Sequence, residues 1–269
     1  MNVAVAARRM VLVHGAWQGA WVWDAWRPEL ARLGWQADAV DLPGNGCDPA
    51  DRTSPGDVSL SRYVDHVLSV IGQGDEPVVL VGHSGGGITV TQVAEAAPQR
   101  IACVVYLAGM MLPSGRTYAQ LLREYVAAHP GVALGGIAPH LRWSADRLLS
   151  AVPAEAAQAV FLHDCDPAVA LQAAAKLRPQ PERGRDMAPH WTAERFGRVP
   201  RLYVEALDDQ SLRLVVQRRM QALVPGAARV SIACGHVPQL VRARASAELV
   251  CGVLSGTVDP STVVPQETP

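Results

Sequence analysis

Apolar runs alternate with amphipathic stretches through most of the chain. "RMVLVHG" is a continuous run of the kind a parallel strand shows when it is buried on both faces. "WDAWRPELARLG" has helical spacing, with Asp24 placed to cap its start and Gly34 its end. "WQADAVDLPGNG" reads as a strand entering a Pro/Gly loop, and "LSRYVDHVLSVIG" as a helix with Ser59 or Ser61 near its start. Then follow a strand in "PVVLVGHS", a helix in "GGITVTQVAEAAPQR" and a strand in "IACVVYLAG". This rhythm predicts βαβ units and an α/β fold with a mostly parallel, doubly wound sheet.

The rhythm changes at Met110. "YAQLLREYVAAHP", "SADRLLSAV", "AEAAQAVFLHD" and "PAVALQAAAKLRP" all read as helices, with no buried strand between them. The expected organisation is a core over 1–109, a helical lid insertion over 110–199, and the rest of the core over 200–255. In that last part "PRLYVEAL" and "ARVSIAC" are strands, and "SLRLVVQRRMQALVP" and "VPQLVRARASAELVCGVL" are helices. The polar, Pro-rich 256–269 reads as a disordered tail.

Composition narrows the function. The 269 residues are 49% hydrophobic, enough for a sizeable core. A net charge of -1 and only two Phe argue against a nucleic-acid or anionic-membrane surface. No apolar run reaches the roughly 18 residues a membrane span needs. "MNVAVAARRM" carries its arginines after its apolar residues, the wrong order for a signal peptide, so a cytoplasmic location is expected. Five cysteines without CxxC spacing read as free, small core residues rather than a disulfide framework or zinc site, and no metal is expected.

The chemistry concentrates in "VVLVGHSGGG". Gly82-His83-Ser84-Gly85-Gly86 fits G-x-S-x-G between a strand and a helix, the context in which a sharp turn exposes a nucleophilic serine. Small residues two positions either side relieve the crowding, and the helix N-terminus offers amides to an oxyanion. A serine needs a base and the base an orienting carboxylate, in the chain order Ser, Asp, His. "IACGHVPQL" supplies His236, and "YVEALDDQS" supplies Asp208 or Asp209, each after a strand. "VHGAWQGAWVW" supplies a second oxyanion donor, with the Ala16 N–H expected to act beside that of Gly85. His14 and His83 read as structural. Trp17 is a candidate pocket wall, Met110 and Phe161 are candidate apolar lid contributors, and His163 in "FLHDCDP" is a further lining candidate.

Together, "VLVHGAWQGAWVW", "AVDLPGNG", "VVLVGHSGGG", "VVYLAGMMLPSG", "FLHDCDP", "PRLYVEALDDQSLRLVVQRRM" and "GHVPQL" resemble the α/β-hydrolase superfamily. The likeness is to the branch of plant methyl-ester esterases, hydroxynitrile lyases and bacterial pyrethroid-type carboxylesterases. In that branch the orienting Asp lies eight residues before a helix Gln, so Gln217 implies Asp209. The lyases there carry Thr and Lys where this chain has Gly15 and Val237, both expected at the pocket. The residue after the nucleophile is usually larger than Gly85. The resemblance thus implies a cofactor-independent serine carboxylesterase for a small to medium apolar ester or lactone; a monomer or homodimer is expected, and nothing in the sequence chooses between them. The alternatives are a lyase using the same three residues, or a non-catalytic receptor for a small ligand.

Overall fold

The structure is a computed structural model, describing residues 3–72 and 76–262. A central sheet carries β1 (Arg9–Val13), β2 (Gln36–Val40), β3 (Val78–Ser84) and β4 (Ile101–Gly109). Around these strands run α1 (Trp26–Arg32), α2 (Leu60–Ile71) and α3 (Gly86–Ala96). The segment that follows β4 holds α4 (Tyr118–Ala128), β5 (Arg142–Trp143), β6 (Leu149–Ala151), α5 (Ala154–Val160), α6 (Pro167–Lys176) and β7 (Gln180–Pro181). The sheet resumes with β8 (Arg201–Ala206) and β9 (Ala227–Ile232), and α7 (Leu214–Leu223), α8 (Pro238–Val241) and α9 (Ala243–Leu254) complete the fold.

The sheet order is β2-β1-β3-β4-β8-β9, and every pairing in it is parallel. Because strand side chains alternate, each apolar run feeds two cores. Val11, Val13, Leu80, Val104 and Tyr106 pack with Val67 of α2, Val93 of α3 and Met220 of α7. Met10, Leu12, Val79, Val81 and Val105 pack with Trp26 and Leu30 of α1 and Val250 and Leu254 of α9. The chain leaves β1 toward β2 and then returns past it to β3. That reversal opens a crevice at the carboxyl ends of β1 and β3, where open α/β sheets bind ligands.

Several expectations are corrected by local chemistry. Asp24 does not cap α1. Ala25 stands at that position without a side-chain bond, and Asp24 instead faces Lys176 at 3.8 Å. Within the lid, "SADRLLSAV" is a hairpin rather than a helix. Asp146 Oδ1 accepts from Leu148 N and Ser144 Oγ from Leu149 N, so short polar side chains capture the backbone that a helix would need. β5, β6 and β7 then pair as a small antiparallel sheet beside the three lid helices. The last helical stretch breaks at Arg242 into α8 and α9. The tail is ordered further than expected. Thr257 and Val258 donate to Gly252 O, and Pro260–Thr262 closes a short 3₁₀ turn, while residues 263–269 lie outside the described residues. All five cysteines are free, and no helix among the described residues is long and apolar enough to cross a membrane.

Two fully buried histidines fix the loops at the crevice. His14 Nδ1 donates to Gly15 O at 2.7 Å while its Nε2 accepts from Leu42 N at 3.1 Å, an arrangement only the neutral ring can make. His83 lies between two oxygens, its Nε2 2.8 Å from His236 O and its Nδ1 2.9 Å from Gln18 Oε1. Desolvation holds His14 below the usual histidine range and His83 well below it, with His236 adding to the effect on His83. Burial thus disfavours protonation of both rings in the fold, whereas both take up protons in the unfolded chain below about pH 6.5. Acid favours the unfolded state, by at most about 1.4 kcal/mol per pH unit per ring. Urea unfolding followed by circular dichroism is expected to show stability falling from pH 7.5 to 5.5, less steeply in His83→Gln. A flat profile in the parent protein would mean that these rings protonate without unfolding.

Candidate active site

Ser84 ends β3 with φ at +50°, a left-handed conformation that a non-glycine residue holds only when its surroundings enforce it. Those surroundings are backbones packed too closely for side chains. A Cβ at Gly82 would lie 2.9 Å from Gly86 O, and one at Gly86 2.5 Å from Val13 O. Gly87 is closed off by the Met110 backbone at 2.6 Å, and Met110 N itself donates to Ser84 O. Gly15 sits against the serine from the β1 loop, where a Cβ would lie 2.7 Å from Ser84 Cβ. Gly85 differs. Its φ is -58°, and a Cβ there would meet only Ala16 N, at 3.8 Å. Ala16 and Gly85 thus face one another beside the serine, and both line the cavity described below.

His236 lies in the loop between β9 and α8 and is almost completely buried. Its Nε2 is 3.1 Å from Ser84 Oγ and its Nδ1 is 2.7 Å from Asp209 Oδ2. The choice between neighbouring aspartates resolves here. Asp208 is exposed, whereas Asp209 is buried and its other oxygen accepts from Ser211 N at 2.7 Å and Leu212 N at 2.8 Å. Gln217, on α7, braces that loop. Its amide exchanges hydrogen bonds with both backbone groups of Ala206 and donates to Leu212 O at 2.7 Å. Phe161 stacks on the His236 ring, with centroids 5.3 Å apart, and Trp17 stacks on Phe161 in turn.

Ser84 and His236 open into a cavity of about 310 Å³. Trp17, Met110, Leu122, Ile137, Phe161 and Val216 supply much of its apolar lining, and Gly15 borders it. Two expected lining residues are not there. Val237 is fully buried in the cluster behind Trp17 and Phe161, because the turn into α8 points it inward. His163 is exposed and outside the cavity lining, its Nε2 donating to Asp208 O at 3.1 Å. Tyr118, at the first turn of α4, and residues 134–138 also line the cavity, and no motif or periodicity in the sequence marks them as facing it. The Tyr118 hydroxyl is pushed well above its ordinary pKa by burial, with Asp209 adding to the shift, so it faces the cavity as a neutral phenol.

Trp17, at φ +62°, ties lid to core. Its N–H donates to Gln180 Oε1, its carbonyl accepts from Arg178 N, and its indole N–H donates to Ser150 O. Ala16 is therefore fixed from both sides, by Gly15 packed on Ser84 and by Trp17 held to the lid.

Comparison with known proteins agrees with this architecture. A bacterial pyrethroid hydrolase of Sphingobium wenxiniae is 28% identical over 243 residues, covering 85% of this chain and 81% of that protein. The putative chloroplastic methylesterase 13 of Arabidopsis thaliana is 27% identical over 221 residues, covering 81% of this chain but 49% of its relative, so the match spans about half of that protein. A crystal structure of a pyrethroid hydrolase superposes with a TM-score of 0.76 at 25% identity, covering 91% of this chain and 96% of the other. The pattern of the alpha/beta hydrolase family matches residues 10–249. Strand order, serine turn and a match over nearly all the described chain lead to one assignment: the protein belongs to the alpha/beta hydrolase family.

Proposed function

We propose that this protein is a serine carboxylesterase acting on a small to medium apolar ester or lactone. The observation that carries the reading is His236, which bridges Ser84 Oγ at 3.1 Å and Asp209 Oδ2 at 2.7 Å at the edge of a largely apolar cavity. The names of its relatives, methylesterases and a pyrethroid hydrolase, support the same class. His236 Nε2 takes the Ser84 proton as the hydroxyl attacks the carbonyl carbon. Asp209, which accepts from Nδ1–H, keeps the acceptor nitrogen toward the serine and stabilises the imidazolium. The Ala16 and Gly85 amides receive the developing oxyanion, each at about 3 kcal/mol of transition-state stabilisation. His236 then hands its proton to the departing alcohol, and water repeats the sequence on the acyl-enzyme. The residue after His236 is the buried, uncharged Val237, which offers nothing to stabilise a departing cyanide and so disfavours a lyase.

Hydrolysis of short p-nitrophenyl esters checks the reading. Ser84→Ala should lower kcat at least about 10⁴-fold, and Asp209→Asn about 10⁴-fold through loss of the correct tautomer. Rates equal to the parent in Ser84→Ala would end the serine mechanism. Gly85→Leu tests the acyl and alcohol space. The backbone there accepts a side chain without strain, and the open volume lies in the cavity wall. Bulky esters should lose rate much more than acetates. An equal loss across an ester series would show that substrate does not use this space.

A further inference from the structure

The lid touches the loops of both Asp209 and His236 through one short segment at the end of α5. Phe161 stacks on the His236 ring, His163 Nε2 donates to Asp208 O, and Asp164 Oδ2 accepts from Gly235 N at 2.6 Å. Asp208 immediately precedes Asp209, and Gly235 immediately precedes His236. The two loops are also joined directly, Asp208 N donating to Cys234 O at 3.0 Å. Both side chains press on Gly235, where a Cβ would lie 2.5 Å from Asp164 Oδ1 and 2.8 Å from His163 Nε2. Asp164 Oδ1 is itself buried without a hydrogen-bond partner among the described residues. A surface turn has no need of a desolvated, half-satisfied carboxylate, and such a group calls for an explanation.

We propose that Asp164 is a positioning residue for His236. Resting on the esterase reading above, the inference assigns it the task of fixing the backbone from which the imidazole reaches both Ser84 and Asp209. The short, charge-assisted bond to Gly235 N anchors the residue before His236. His163 performs the matching but weaker task on the residue before Asp209, through a neutral acceptor on an exposed side chain. The lid thereby sets the reacting geometry from behind as well as walling the pocket. Removing the carboxylate leaves the Gly235 N–H without its acceptor and frees the His236 backbone, and a displacement near 1 Å is enough to cost about 100-fold in rate.

The test compares Asp164→Ala with Asp164→Asn, whose amide oxygen still accepts from Gly235 N. Steady-state hydrolysis of p-nitrophenyl butyrate is paired with proton NMR of the His236 Nδ1–H that bonds Asp209. The resonance is assigned by its loss in His236→Gln, and thermal unfolding checks the fold. Asp164→Ala should lower kcat roughly 10- to 100-fold with KM little changed, and should shift or broaden the Nδ1–H resonance. Asp164→Asn should recover most of both. His163→Ala, which leaves the carboxylate in place, should show a smaller effect in the same direction and provides a second variant if the alanine form folds poorly. A parent-like kcat and resonance in folded Asp164→Ala, or equal losses in the Asn and Ala forms, would overturn the proposal. The resonance is read without turnover, so it tests the positioning even if the parent protein hydrolyses no ester.

Discussion

Everything at this site depends on one strained residue, Ser84 at φ +50°. A left-handed serine persists only if neighbouring backbones leave it nowhere to relax, and here they press in from three directions. Val13 crowds Gly86, the Met110 backbone crowds Gly87, and Gly15 approaches the serine's own Cβ. Each approach requires a residue without a side chain. The apparent extravagance of "GHSGGG" is mostly enforced by contact, with Gly85 as the exception. The parallel sheet supplies the rigidity, since β3 is buried along its length and paired on both sides.

The sequence was most readable where periodicity and function share a cause. β3, its turn and α3 are local in sequence, so apolar spacing and glycine placement announced the elbow together. His236 was legible because it follows a strand at the expected position in the chain. Strand position leaves both Asp208 and Asp209 open, and only the family resemblance, counted back from Gln217, favours Asp209. The choice depends on which carboxylate the loop turns inward, and that is set by the amides of Ser211 and Leu212 and by the Gln217 brace. The lid was least legible. In "SADRLLSAV" the side chains of Ser144 and Asp146 outbid helix propensity for the backbone. Val237 and His163 were misplaced for a different reason. Lining a cavity is a matter of direction in space, and neither residue lies in a pattern that encodes direction.

Polarity around the site is arranged with the same economy. Burial holds His14 and His83 below the usual histidine range, and His236 is the imidazole hydrogen-bonded to Ser84. His83 holds His236 by its carbonyl, Gly235 is held by its amide, and the ring is held by Asp209 and Phe161. In the esterase mechanism proposed above, the side chain that alternates between accepting and donating a proton is thus constrained at its backbone and free only in its protonation.

The hydrogen bonds of Trp17 to the lid have a consequence for anyone rebuilding the pocket. Lids of hydrolase folds invite treatment as exchangeable cassettes, cut at the ends of the insertion and swapped to change specificity. Here the seam does not run along the sequence boundary. Ser150, Arg178 and Gln180 belong mechanically with Trp17, and Trp17 adjoins the Ala16 amide. A graft that replaces the insertion alone would discard the partners that hold this amide in place. The transferable unit includes the β1 loop, and chimeras cut without it would change the cavity wall at the cost of the backbone beside Ser84.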